Sequence, residues 1–142
     1  MIGSAEGAEQ RDTIIGLLQS QVDAWSRGDA DGYALNSGPD LGFTNIRGQR
    51  WVGRDEFVRI HKTILGGIYG GSRLEAEIER ISFPGTDVAV AEAVLKLSGA
   101  KALPPGIAAG SDGILRTRLL EIFELRMGVW MLVLCHNTAV AG

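Results

Sequence analysis

The chain has 142 residues, which fits one domain spanning residues 1–142 with a sizeable core. A net charge of −3 and a pI near 5.4 argue against nucleic-acid binding, which needs a basic surface. No apolar run reaches the roughly 18 residues of a membrane span, no basic-then-apolar leader opens the chain, and the single cysteine makes no internal disulfide, so a cytoplasmic location is expected.

Residues 8–27 read as a helix. Ile14, Ile15, Leu18, Val22 and Trp25 recur at helical spacing, and Leu17 widens the stripe. Gly28 is a helix stop. Asp29 caps a second short helix over 30–36, which Gly38-Pro39 breaks. Leu41 to Ile46 alternates and reads as a strand. Arg47-Gly48-Gln49 turns it into a short return strand, Arg50-Trp51-Val52. Gly53-Arg54-Asp55-Glu56 opens a third helix, with acids where the helix dipole favours them. Phe57, Ile60, His61, Ile64 and Leu65 share one face of it, and Gly66-Gly67 ends it.

The rest is strand-rich. Ser72 to Phe83 alternates, with Leu74, Ala76 and Ile78 on one face and Glu75, Glu77 and Glu79 on the other. Pro84 to Asp87 is a turn, and Val88 to Leu97 a second long strand. Residues 99–113, rich in proline and glycine, form a long loop of the kind that is often a functional lid. Ile114 to Met127 is a third strand. Gly128-Val129 turns into a fourth, Trp130 to Cys135, which runs on into His136-Asn137-Thr138. Long consecutive strands with short turns favour an antiparallel sheet. Helices first and strands later give an α+β domain.

The order helix, helix, hairpin, helix, four-stranded meander is similar to that of the NTF2-like superfamily. Phe43 to Gly48, Gly53-Arg54-Asp55, His61, Ile68 to Leu74, and Trp130 to Thr138 resemble its SnoaL-like branch, and within it the SgcJ/EcaC group. Members of that group occur in bacterial secondary-metabolite pathways, including enediyne polyketide pathways. The resemblance implies a cone: a curved, mostly antiparallel sheet wrapped around the N-terminal helices and enclosing a cavity. Some relatives are isomerases, dehydratases, cyclases or hydrolases, and others only bind ligands or partner proteins, so the fold leaves the activity open.

His61 is read either as a satisfied core histidine or as a general base or hydrogen-bond donor in the cavity. In relatives a histidine of this helix faces the cavity. His136 has the same two readings. Strand parity groups it with Trp130, Leu132, Leu134 and Thr138, against Met131, Val133, Cys135 and Asn137. A histidine at this strand end in relatives implies that the His136 set faces the cavity and Asn137 faces outward. Tyr33 and Tyr69 need partners if buried, and either can donate to a ligand carbonyl. His61, His136 and Tyr33 are therefore the candidate proton-transfer set. Trp25 and Trp51 are candidate walls, Asn45 either orients a ligand or is a turn residue, and Ile64, Tyr69 and Leu134 complete the expected lining.

Glu121, set among Leu119, Leu120, Ile122 and Phe123, is either an outward residue or an acid pushed toward neutrality by burial, and the outward reading is preferred. Asp40 reads as a turn carboxylate. Cys135 reads as a small buried residue. No paired Cys or His-x-x-x-His spacing supports a metal, and no Gly-x-Gly-x-x-Gly follows a strand, so no cofactor is expected. The expected partner is an apolar, polyketide-like small molecule. Met131, Val133 and Cys135 make an apolar outer sheet face, which points to a homodimer formed sheet to sheet. The functional expectation is a small-molecule-binding protein of polyketide or enediyne biosynthesis, acting as a cofactor-free isomerase, cyclase or hydratase. The alternative is a non-catalytic carrier or accessory protein.

Overall fold

The computed structural model describes residues 4–140. Helix α1 runs Ser4–Ser26, starting earlier than the expected residue 8. Its buried face is Ile14, Leu18, Gln21, Val22 and Trp25, one stripe at helical spacing. Gly28, at φ 73°, ends it, and the Asp29 N–H bonds the Ala24 carbonyl at 2.8 Å. Asp29 caps α2, accepting from the Gly32 N–H at 2.9 Å, but α2 covers only Ala30–Tyr33.

Strand β1 spans Ser37–Thr44 rather than 41–46. Gly38-Pro39 therefore lies inside a strand instead of breaking the chain. Proline is tolerated because β2 pairs only with residues 42–44, and the ladder to β6 is interrupted between Ser37 and Gly42. The remaining elements are β2 (Arg50–Val52), α3 (Arg54–Leu65), β3 (Arg73–Gly85), β4 (Val88–Ser98), β5 (Leu115–Arg126) and β6 (Val129–Ala139). They make one curved, unclosed six-stranded sheet in the order β2-β1-β6-β5-β4-β3. All neighbours are antiparallel except β1 and β6. Met127-Gly128, both at positive φ, form the two-residue turn between β5 and β6.

The inner face of the sheet has two halves. On one, β4 carries Ala89, Ala91 and Ala93, β5 carries Glu121 and Phe123, and β6 carries Trp130 and Leu132, all buried. Helix α1 lies over this half. Trp130 Nε1 donates to Gln10 Oε1 at 2.6 Å, and Gln21 Nε2 donates to Glu121 Oε1 at 3.1 Å. On the other half the same strands carry Leu95 and Leu97, Leu115, Thr117 and Leu119, and Cys135 and Asn137. These side chains line an open cavity.

Strand parity fails in β6. Ile122 pairs with Leu134 and Phe123 with Leu132, so Val133 is an extra residue, a β-bulge. Trp130 and Leu132 face inward before it, and Cys135 and Asn137 face inward after it. His136 is exposed and Leu134 half-buried on the outer face. The expectation that His136 and Leu134 face the cavity while Cys135 and Asn137 face outward is therefore corrected, and the bulge is the physical reason. Glu121 is corrected too. It alternates with Leu119 and Phe123 on the inner face and is 0% exposed.

On the outer face the acidic row of β3 is tied to its neighbours. Lys96 Nζ meets Glu77 at 3.0 Å and Arg118 meets Glu79 at 2.7 Å. Such exposed pairs contribute at most about 1 kcal/mol each.

Candidate functional site

The cavity has a volume of about 400 Å³, within the ordinary range for small-molecule sites. Its inner wall is aromatic. Trp25 comes from α1, Tyr33 from α2, Phe43 from β1, Trp51 from β2, and Tyr69 from the turn after α3. Phe43 and Trp51 stack at 5.9 Å with 20° between planes. Trp25 Nε1 donates to Ser72 Oγ at 2.9 Å, and that hydroxyl donates to the Tyr69 carbonyl at 2.6 Å. This chain holds the indole as a wall and occupies its only donor.

His61 sits one turn beyond Phe57 and one before Leu65, on the buried stripe of α3. It is 2% exposed. Four aromatic rings surround it: Phe57 at 4.4 Å, Tyr33 at 4.6 Å, Phe43 at 5.2 Å and Trp25 at 6.1 Å. Its Nδ1 lies 2.7 Å from the Phe57 carbonyl oxygen. A carbonyl only accepts, so this bond assigns the proton to Nδ1 and leaves a lone pair on Nε2. Nε2 has no partner among the described residues. Burial pushes the His61 pKa down to about 4, against the Phe57 bond, so the ring is neutral at pH 7. Both sequence readings of His61 describe part of it: one nitrogen is satisfied, and the residue lines the cavity.

Tyr33 is buried, and its hydroxyl has no bonding partner among the described residues. Burial raises its pKa well above the ordinary 10.0, and Cys135 and Glu121 add to the effect. Burial raises Tyr69 as well. Ile64 lines the cavity beside His61. Asn45 also lines it, but its amide is engaged in the β1–β2 turn. Oδ1 accepts from the Arg47 and Gln49 N–H groups at 3.0 Å each, and Nδ2 donates to Gln49 Oε1 at 3.1 Å.

Three contributions lie outside the lining set expected from the sequence. Asn137 lines the cavity, and its Oδ1 is buried without a partner among the described residues. Only knowledge of the Val133 bulge would have placed it there. Leu103, Pro104 and Pro105 of the long loop form part of the wall, and the loop is pinned by the Lys101 N–H to the Ile68 carbonyl at 2.8 Å. The third is Glu121, behind the cavity. Its Oε2 has no oxygen or nitrogen partner among the described residues, and the Cys135 thiol lies against its carboxyl. Burial pushes the Glu121 pKa up to about 7, against the lowering effect of Cys135 and Gln21.

The mouth lies between the β1–β2 turn and the long loop, where the lining residues Arg47, Gln49 and Pro105 are exposed. Among the described residues, Arg47 is the one charged lining side chain, and it sits at the rim. Among the described residues, no group of three or more metal-ligating side chains occurs, and no helix is long and apolar enough to cross a membrane.

The architecture is the NTF2-like, cystatin-like fold. A protein of cystatin-like fold from Caulobacter vibrioides is 28% identical, with a TM-score of 0.79 over 94% of this chain and 91% of the other. An NTF2-like protein from Shewanella oneidensis is 23% identical, with a TM-score of 0.70 over 91% of this chain and 98% of the other. A ketosteroid isomerase-like protein from Erwinia carotovora is 14% identical, with a TM-score of 0.71 over 91% of this chain and 95% of the other. The first two have no assigned function. No family model and no curated protein matches the sequence.

Proposed function

We propose that the protein binds a flat, apolar, polyketide-type small molecule in the cone, in the service of secondary-metabolite biosynthesis. The observation that carries this is a cavity of about 400 Å³ with aromatic and aliphatic walls and its one charged lining residue at the rim. The resemblance to the SgcJ/EcaC group supports the polyketide and enediyne setting. His61 and Tyr33 supply polar handles inside, and Asn137 replaces His136 in that role. The expected location is the cytoplasm, which cell fractionation tests.

A second reading, cofactor-free catalysis, is favoured by the lone pair of His61 Nε2. Isomerisation, cyclisation or hydration each need a proton moved, and Nε2 is a free base on a ring whose centroid lies 4.6 Å from that of Tyr33. The ketosteroid isomerase-like neighbour fits this reading. A pKa of about 4 makes His61 a weak base, so binding stands first.

Titration with aromatic polyketide intermediates should quench tryptophan fluorescence, since Trp25 and Trp51 line the site. The ligand should be recovered with unchanged mass, chromatographic retention and absorption spectrum. Conversion of the ligand, lost in Tyr33→Phe, would establish the catalytic reading instead. Absence of binding by any aromatic or polyene intermediate would overturn both.

The protein is also proposed to pair through the outer sheet face. Val90, Ile122 and Leu134 form a half-buried apolar row in register across three strands, with Met131 beside it. The earlier assignment of Cys135 to this face is replaced by Leu134. Light scattering at micromolar concentration should give a dimer, and Ile122→Glu should give a monomer. A wild-type monomer would refute the pairing.

A further inference from the structure

Two polar features of the cavity differ in kind and in depth. At the buried end, His61 Nε2 is an acceptor without a donor, because its Nδ1 proton is committed to the Phe57 carbonyl at 2.7 Å. The ring is neutral, so it repels no uncharged guest. Leaving such a nitrogen unpaired against an inserted ligand forfeits a hydrogen bond that a matching hydroxyl would make. At the exposed end stands Arg47. It makes no ion pair among the described residues, although ten others are formed on this molecule. No carboxylate of the described residues lines the cavity. A protein of net charge −3 thus presents an unpaired cation at the opening of a largely apolar cavity. Cations at a cleft with low-dielectric walls favour anions there.

We propose that the ligand is an elongated aromatic acid, its hydroxyl end seated against His61 and its carboxylate held at the mouth by Arg47. The apolar walls between the two take the ring system. An anion without a ring system gains only the weak surface contact. A ring system without the anion lacks the contact at the mouth.

This inference rests on the proposed ligand-binding reading, and three probes separate the failure of one from the failure of the other. 6-Hydroxy-2-naphthoic acid, 6-methoxy-2-naphthoic acid and 2-naphthol are titrated by tryptophan fluorescence at low salt. The hydroxy acid should bind about tenfold more tightly than either of the others, the size of one hydrogen bond or one charge-assisted contact. Arg47→Gln, an exposed substitution with no packing role, should remove the advantage of the hydroxy acid over 2-naphthol and leave its advantage over the methoxy acid. The first advantage should also shrink as salt is added. Equal binding of the hydroxy and methoxy acids overturns the role given to His61. A carboxylate preference that survives Arg47→Gln overturns the role given to the mouth. If none of the three probes binds, the ligand-binding reading itself fails.

Discussion

Glu121→Gln should change how stability depends on pH, with an effect of about 3 kcal/mol at pH 8. The carboxyl is fully buried and its pKa is raised from 4.5 to about 7. Between these values the folded state holds a proton that the unfolded state has released. Stability is therefore fully present below pH 4.5 and is lost as pH rises through about 7. A shift of this size corresponds to about 3 kcal/mol.

His61 has the opposite sign. Its pKa falls from 6.5 to about 4, so the unfolded state binds the proton first and stability is lost as pH falls through that window. The two slopes oppose each other between pH 4.5 and 6.5, and the wild type should be nearly flat there. Glutamine keeps an amide oxygen for the Gln21 donor and cannot ionise. The variant should match the wild type near pH 4.5, exceed it above pH 7, and lose stability on acidification with the His61 slope alone. Urea unfolding at pH 5 and pH 8 checks this. Parallel curves for the two proteins would show that Glu121 is not a buried acid.

Phe57→Ala should destabilise the fold by about 3–5 kcal/mol, the range for truncating a large core aromatic. Phe57 is 1% exposed. Its ring stacks on Tyr33 at 5.5 Å, meets Phe43 edge-on at 5.0 Å, and lies 4.4 Å from His61. One side chain thus sets the positions of two cavity walls and the histidine. A loss of this size is a large share of the 5–15 kcal/mol typical of a domain. Phe57→Leu refills most of the volume and should recover over half of the loss. Chemical denaturation measures both, and an alanine effect below about 1 kcal/mol would contradict the packing described.

Much of the frame was legible because periodicity is a local signal. The stripe from Ile14 to Trp25 and the set Phe57, His61, Leu65 foretold which helix faces are buried. The alternation of Leu74, Ala76 and Ile78 with Glu75, Glu77 and Glu79 foretold the two faces of β3. What escaped depends on partners distant in sequence. Pro39 looked like a breaker because the reach of β2, which covers only residues 42–44 of β1 and leaves Pro39 outside the ladder, is a property of the sheet, not of the segment. Val133 has the same character as its neighbours, so nothing local marked it as the bulge that turns Asn137 inward and His136 outward. Glu121 was misplaced because Leu120 and Ile122 make the outer face of β5 apolar too, and an acid between apolar residues reads as the exposed one. The loop 99–113 was legible as long, but its packing over the cavity rests on the bond from Lys101 to Ile68.

The division of the inner sheet face into a half under α1 and a half around the cavity has a consequence for how this molecule can change. Residues 89–93 and 121–132 bear the helix, whereas 95–97, 115–119 and 135–137 line the cavity, and the same strands carry both sets. Exchanges at Leu95, Leu97, Thr117 or Asn137 reshape the cavity wall a full turn of the pleat away from the helix seat. The chamber can therefore be re-cut while the framework stays intact. Changes of cavity shape and changes of folding stability fall on separate stretches of one strand.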